Sequence, residues 1–249
     1  MAEILYDVEG HVATLTLNRP EKKNAVNHAM CQQLAGAFAS IQDDPEVWCA
    51  VLTGAGGVFS SGHDLTEDFT DAWPTFADLY AIQAQLTKPL VAAVEGICYA
   101  QGTALALGCD VVLASVFATF GWPQVRRGIG SVSGPTVFAR LVPRHTAMRA
   151  LLTGEPVMAG TLSRLGVIEV VREGLAVLPE AQRLARVIAS NAPLAVQAVK
   201  LAVVDTTPLR PLTAYRVATD ILKDVLRTED AAEGLAAFRE KRPPVWKGR

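Results

Sequence analysis

Glu95-Gly96-Ile97-Cys98-Tyr99-Ala100-Gln101-Gly102-Thr103-Ala104-Leu105-Ala106-Leu107-Gly108-Cys109-Asp110 is the stretch from which the rest of the chain can be read. The apolar run Leu90 to Val94 precedes it, set up by Lys88-Pro89, and ends at Glu95-Gly96. A run of small residues follows, then the apolar stretch Cys109 to Ala114. A strand that stops at glycine and feeds a helix of small residues exposes a helix N-terminus, with unpaired N–H groups and partial positive charge. Such an end suits a developing oxyanion. Upstream, Gly57-Val58-Phe59-Ser60-Ser61-Gly62-His63-Asp64-Leu65 follows a second apolar run, Trp48 to Thr53, and the loop Gly54-Ala55-Gly56-Gly57. Glycine and small side chains there let the backbone approach a ligand closely.

Further out, Ile4 to Val8 and Val12 to Leu17 flank Glu9-Gly10 as a β-hairpin, which Asn18-Arg19-Pro20 ends because proline removes a ladder donor. Asn27 is suited to cap a helix over His28 to Ile41, with Met30, Leu34, Phe38 and Ile41 at helical spacing and Asp43-Asp44-Pro45 as the stop. From about Arg144 the chain reads as mainly helical, with segments Pro179 to Ser190, Pro193 to Val204, Pro211 to Leu226 and Glu229 to Glu240. Short strands alternating with helices predict an α/β fold with a parallel sheet.

The 249 residues suit one compact α/β domain or one domain with a helical appendage, and half of them are hydrophobic, enough for a sizeable core. A formal net charge of −2, from 23 basic and 25 acidic residues, argues against a nucleic-acid partner. Cys31, Cys49, Cys98 and Cys109 form no C-x-x-C pair and sit in apolar stretches, so buried reduced thiols are expected and no zinc pattern is present. The N-terminus has no basic region followed by an apolar stretch, and the run around Val91 to Val94 is too short to span a bilayer. No metal, no membrane association and a cytoplasmic location are the expectations.

In this order, the two glycine-containing segments closely resemble the two signatures of the crotonase (enoyl-CoA hydratase/isomerase) superfamily. The resemblance extends to Leu17-Asn18-Arg19-Pro20 with Asn24-Ala25, Phe120-Gly121-Trp122-Pro123-Gln124 with Gly128-Ile129, Leu152-Thr153-Gly154, Leu165-Gly166-Val167-Ile168 and Phe238-Arg239-Glu240-Lys241-Arg242-Pro243. It covers essentially the whole chain. It implies a spiral of ββα turns with a C-terminal helical region: a core over 1–190 and a helical trimerisation region over 191–249. It also implies an acyl-CoA thioester as substrate, CoA entering only as part of that substrate with no separate cofactor, and a homotrimer or dimer of trimers. By the same resemblance, the backbone N–H groups of His63 and Gln101 form an oxyanion hole. Adenine and pantetheine are held near Ala25, Ser61 and Leu65, Lys22 and Lys23 meet CoA phosphates, and Phe238 and Lys241 help from a neighbouring subunit.

The sequence departs from the pattern at the two glutamates that the family's hydratases use for acid and base work. Those positions hold Ala104 and Gln124, neither of which exchanges a proton. Hydration by that route is therefore not expected. Decarboxylation, which needs an oxyanion hole more than a base, and hydrolysis of a C–C or thioester bond are the alternatives. For hydrolysis, His63, Glu67, Asp68 or Asp71 would activate water. A non-catalytic acyl-CoA-binding subunit is a further alternative.

Overall fold

The computed structural model describes residues 2–67 and 75–249. The two water activators Asp68 and Asp71 considered above lie outside the described residues. The chain opens with β1 (Ile4–Glu9) and β2 (Val12–Leu17), paired antiparallel from Ile4 opposite Leu17 to Glu9 opposite Val12. Gly10 takes the positive φ that this tight connection requires. After α1 (His28–Asp43), β3 (Cys49–Gly54) joins β2 in parallel, Val12 opposite Cys49. Then come α2 (Phe76–Ala84), β4 (Leu90–Val94), β5 (Ile97–Tyr99), α3 (Gln101–Leu107), β6 (Val111–Ala114) and β7 (Thr119–Gly121).

Two sheets result. The larger runs β1-β2-β3-β4-β6 and ends on a two-residue strand, β9 (Glu169–Val170). The smaller runs β5-β7-β8, with β8 at Val157–Met158. The circuit β4-β5-α3 leaves the large sheet, adds a strand to the small one and returns by a helix to β6, the ββα turn of the crotonase-like spiral expected from the sequence. The remaining helices are α4 (Ala139–Leu141), α5 (Arg144–Thr153), α6 (Ala159–Arg164), α7 (Val177–Ala189), α8 (Pro193–Thr206), α9 (Pro211–Val225) and α10 (Glu229–Glu240).

Both faces of the large sheet are covered, so β3 and β4 read as continuous apolar runs. Side chains alternate across a strand. Ala50, Leu52, Leu90, Ala92 and Val94 therefore join the core built by Leu34, Phe38 and Ile41 of α1. Cys49, Val51, Val91 and Ala93 face the other way, onto Ala181, Ala185 and Ala189 of α7. Alanines four apart form one face of that helix, letting it sit close to the sheet. Asn27 caps α1 as predicted, its Oδ1 accepting the Met30 N–H at 2.8 Å.

Past α8 the burial changes. No residue of α9 is buried, and Leu212, Tyr215 and Leu226 stand exposed. The end of the chain folds back onto the start of α10 and the end of α7. Buried Asp230 accepts the N–H groups of Lys247 (2.7 Å) and Gly248 (2.9 Å), and Trp246 Nε1 donates to Ser190 O at 2.8 Å.

The reading of the chain beyond Arg144 as mainly helical needs one correction, since β8 and β9 lie within it. Two-residue strands carry no usable period. α7 also starts at Val177, ahead of Pro179, placing that proline in the first turn, where its missing N–H costs nothing. Among the described residues, no single helix is long and apolar enough to cross a membrane.

Candidate active site

The site begins where the two glycine-containing segments meet. Phe59 N–H donates to Glu95 O (2.8 Å), Ser60 N–H to Ile97 O (3.0 Å), and Tyr99 N–H to Ser60 O (2.8 Å). The chain at 59–60 thus runs parallel to β5. Beyond this ladder both strands turn sharply, Gly62 at φ +102° and Ala100 at φ 50°, ψ −111°. A Cβ at Gly62 would lie 2.7 Å from Ala100 Cβ, 3.0 Å from Tyr99 O and 3.5 Å from Gln101 N, so the two turns abut with no room for a side chain at 62.

The directions of the two amides follow from the bonds around them. Gly62 O accepts the Val26 N–H at 2.7 Å, and Val26 O accepts the Asp64 N–H at 2.9 Å. The planar trans peptide joining residues 62 and 63 aims its N–H opposite to its C=O. The His63 N–H therefore points away from Val26. Gln101 is the first residue of α3, and Ala100 O accepts the Ala104 N–H at 3.1 Å along the helix. The Gln101 N–H points the other way, out of the helix start. Thr103 Oγ1 donates to Cys98 O and lies 3.4 Å from both polar backbone atoms of Gly121, while Ala100 N–H donates to Gly121 O at 2.7 Å. These bonds fix the helix start to both strands beneath it. Ala100 is strained where it stands, since a non-glycine residue in that conformation costs about 1–3 kcal/mol.

His63 and Gln101 both line a cavity of about 850 Å³. Of the sequence-predicted residues, Lys22, Lys23, Ala25, Ser61, Leu65 and Gln124 line it too. Lys23 and Asn24 take left-handed φ, and Asn24 Nδ2 donates to Ala55 O (2.9 Å) and Val58 O (2.6 Å). Ser61 N–H donates to Lys23 O at 2.9 Å, which seats the lysine loop on the segment carrying His63.

Glu67, a candidate water activator, lines the cavity as well, whereas Ala104, Phe238 and Lys241 do not. Ala104 is buried in α3, outside the lining. Phe238, 83% exposed, and Lys241, at the end of α10, also lie outside it. Trp122 belongs to the core, stacked on Phe138 and donating Nε1 to Ser133 Oγ at 3.3 Å. Tyr99 and Arg127 line the cavity, whereas Arg126 Nε donates to Thr153 O at 2.9 Å.

The carboxylates are engaged in structure. Asp64 accepts from Thr66 Oγ1 (2.7 Å), Thr66 N–H (3.1 Å) and Arg19 Nη1 (3.1 Å), and Arg19 also reaches Glu3 and Ala25 O. Glu67 Oε2 takes the His28 N–H at 2.8 Å. Thr66, followed by Arg19, holds the Asp64 carboxyl below the ordinary aspartate value of 3.8. A depressed pKa stabilises the fold above the unfolded value, and that contribution disappears as pH falls through the folded value. Asp64→Asn is therefore expected to lower the thermal midpoint at pH 7, where the contribution is fully present, and to flatten its decline below pH 4, where the parent loses it. An unaltered acid limb would remove the linkage.

Burial lowers the pKa of His63 below 6.5, with Glu67 and Asp64 opposing, and its ring meets Phe76 edge-on at 4.5 Å. Its imidazole is thus neutral at pH 7 and able to accept a proton.

The cavity lining also includes residues that the sequence did not mark as site residues: Phe76 and Tyr80 of α2, Cys31 of α1, and Val132 and Ser133. The local signal for α2 was its capping box, Thr75 with Asp78, whose reciprocal bonds measure 3.2 and 2.9 Å.

Comparison with known proteins agrees with this geometry. The family model for enoyl-CoA hydratase/isomerase matches residues 7–249. The enoyl-CoA hydratase EchA19 of Mycobacterium tuberculosis is 35% identical, over 99% of this chain and 97% of the relative. The 2,3-dehydroadipyl-CoA hydratase of Escherichia coli K12 is 34% identical over the full length of both. Among solved structures, an enoyl-CoA hydratase/isomerase from Mycobacterium paratuberculosis superposes with a TM-score of 0.91 at 36% identity, over 100% of this chain and 99% of that one. With matching signatures, the same fold and a match running nearly end to end, the chain belongs to the enoyl-CoA hydratase/isomerase family.

Proposed function

We propose that the cavity holds an acyl-CoA thioester with its carbonyl oxygen between the N–H groups of His63 and Gln101, and that these amides stabilise a thioester enolate. What supports this reading is the abutment of Gly62 and Ala100, which sets two backbone donors side by side at the wall of one cavity. Each such donor contributes roughly 3–4 kcal/mol where charge develops. Lys22 and Lys23 at the lining supply point charges for CoA phosphates, next to Ala25, Ser61 and Leu65. Phe238 and Lys241, exposed on α10, would complete a CoA site across a subunit boundary in a homotrimer or dimer of trimers assembled through 191–249.

Enolate formation needs a proton carrier, and Ala104 and Gln124 cannot serve. His63 lines the cavity, and burial lowers the pKa of its ring. We assign the role to the neutral imidazole of His63. His63→Ala keeps the backbone donor and removes the base, so turnover should fall by about 10²–10⁴-fold with little change in acyl-CoA affinity. In the parent, the rate should drop as pH falls through a value below 6.5, where His63 becomes charged. An unchanged pH profile in His63→Ala would assign the proton to another group.

The reaction expected from these residues does not pass through the paired glutamates of the hydratases; decarboxylation or hydrolysis fits the hole better than addition of water to an alkene. Titration calorimetry with CoA and short acyl-CoAs tests the binding, and no heat up to millimolar ligand would end the proposal. A crotonyl-CoA hydration assay tests the chemistry, with turnover expected to be negligible. The substitutions at 104 and 124 also favour a second reading, an acyl-CoA-binding subunit without catalysis. Transformation of any thioester in a broad panel, abolished by His63→Ala, would exclude it.

A further inference from the structure

Among the described residues, Tyr80 Oη and Gln124 Oε1 at the cavity are buried with no hydrogen-bond partner of regular geometry. Buried polar atoms are nearly always paired, and leaving one unpaired costs about 1–3 kcal/mol. These two residues come from separate elements, α2 and the turn after β7, and both line the same cavity. Their chemistry is complementary. Burial pushes the Tyr80 phenol well above its ordinary value of 10.0, so it stays protonated and serves as a donor. The Ser133 hydroxyl lies beside it and pulls the value back somewhat, but the two make no hydrogen bond of regular geometry. Gln124 Oε1 is purely an acceptor.

The groups acting on Tyr80 favour a neutral ligand group there over a charged one, although Arg127 also lines the cavity. Cys31, beside Tyr80, is pushed up to about 12 by burial and by Glu67, so it is a neutral thiol. No positive side chain is among the groups acting on Tyr80, and a carboxylate placed there would be desolvated near Glu67. The position along the acyl chain follows from α2. Phe76 meets the His63 ring, and Tyr80 lies one helical turn further along the same face. A turn rises about 5.4 Å, more than the two carbons next to a thioester reach.

We infer that Tyr80 and Gln124 form a recognition pair for a neutral oxygen substituent, a hydroxyl or ketone, carried on the acyl chain beyond its β-carbon. The inference rests on the acyl-CoA reading above and adds the substrate class. A site built to bond such an oxygen discriminates against the analogue lacking it, because the buried pair is then left unserved. Tyr80 and Gln124 are specificity residues in this role, and the catalytic amides do not depend on them.

Titration calorimetry of the full chain with four saturated thioesters tests this: hexanoyl-CoA, its terminally hydroxylated form, its ketone, and its terminal carboxylate. Hydroxyl or ketone should bind at least about tenfold tighter than hexanoyl-CoA, and the carboxylate no tighter than hexanoyl-CoA. Tyr80→Phe and Gln124→Met, near-isosteric changes, should bind hexanoyl-CoA as the parent does and lose the preference. Equal binding of all four, or a preference that survives both substitutions, overturns the inference while leaving the acyl-CoA reading intact. Preference for the carboxylate overturns it in favour of a charged clamp. Failure of all four and of free CoA to bind defeats the underlying reading and the inference with it.

Discussion

Gln101→Pro should abolish most enolate formation while leaving the fold in place. The first position of a helix tolerates proline, because its N–H has no intrahelical partner. What the substitution deletes is the donor at the start of α3. Loss of one oxyanion donor lowers the rate by about 10²–10³-fold. Exchange of the α-protons of an acyl-CoA in deuterated water, followed by NMR, reads enolate formation directly, whatever the later steps are. Gln101→Ala is the control, since it keeps the N–H and removes only the side chain; it should exchange almost as fast as the parent. If alanine damages exchange as much as proline, the side chain rather than the amide carries the effect, and the hole is wrongly assigned.

Gly62→Ala attacks the same hole from the other strand. Alanine at φ +102° is strained by about 1–3 kcal/mol, and its Cβ would meet Ala100 Cβ at 2.7 Å and Tyr99 O at 3.0 Å. The turns must separate, carrying the two amides apart. A misplacement near 1 Å costs about 10²-fold in rate, so exchange should fall by that order while acyl-CoA affinity falls less. The double variant Gly62→Ala with Ala100→Gly removes the Cβ–Cβ collision and relieves the strain at Ala100. Part of the exchange should return, and the two substitutions should be non-additive in a double-mutant cycle. Additive effects would mean that the two turns do not act on one structure.

Much of this was legible in the chain itself. The hairpin, α1 with its Asn27 cap, and the buried runs of β3 and β4 carry strong local periods, and the structure has them within a residue or two. The three-residue strands β5 and β7 left no pattern, yet they place the site. Glycine at 62 suggested a close backbone approach, but what approached it, Ala100, lies 38 positions along the chain and became visible only in three dimensions. The resemblance gave the lysine loop, Ala25, Ser61 and Leu65, all of which line the cavity. Ala104 aligned with a catalytic position and is buried outside the lining, because a methyl group does not reach where a longer side chain would. Tyr80 was missed altogether. The capping box Thr75 with Asp78 marks its helix, but nothing in a sequence marks a phenol whose hydroxyl ends up buried and unserved.

The four free cysteines, all buried, equip the molecule with its own opening sensor. Thiol reagents attack the thiolate, and burial pushes Cys31 and Cys49 up to about 12 and raises Cys98 and Cys109 as well, so the intact protein should react sluggishly. Labelling without denaturant then times local excursions, and each thiol watches a different region. Cys31 guards the ligand chamber, and Cys49 the layer between sheet and α7. A bound thioester should slow modification of the former and spare the latter, turning two sulfur atoms into a footprint of occupancy without any introduced probe.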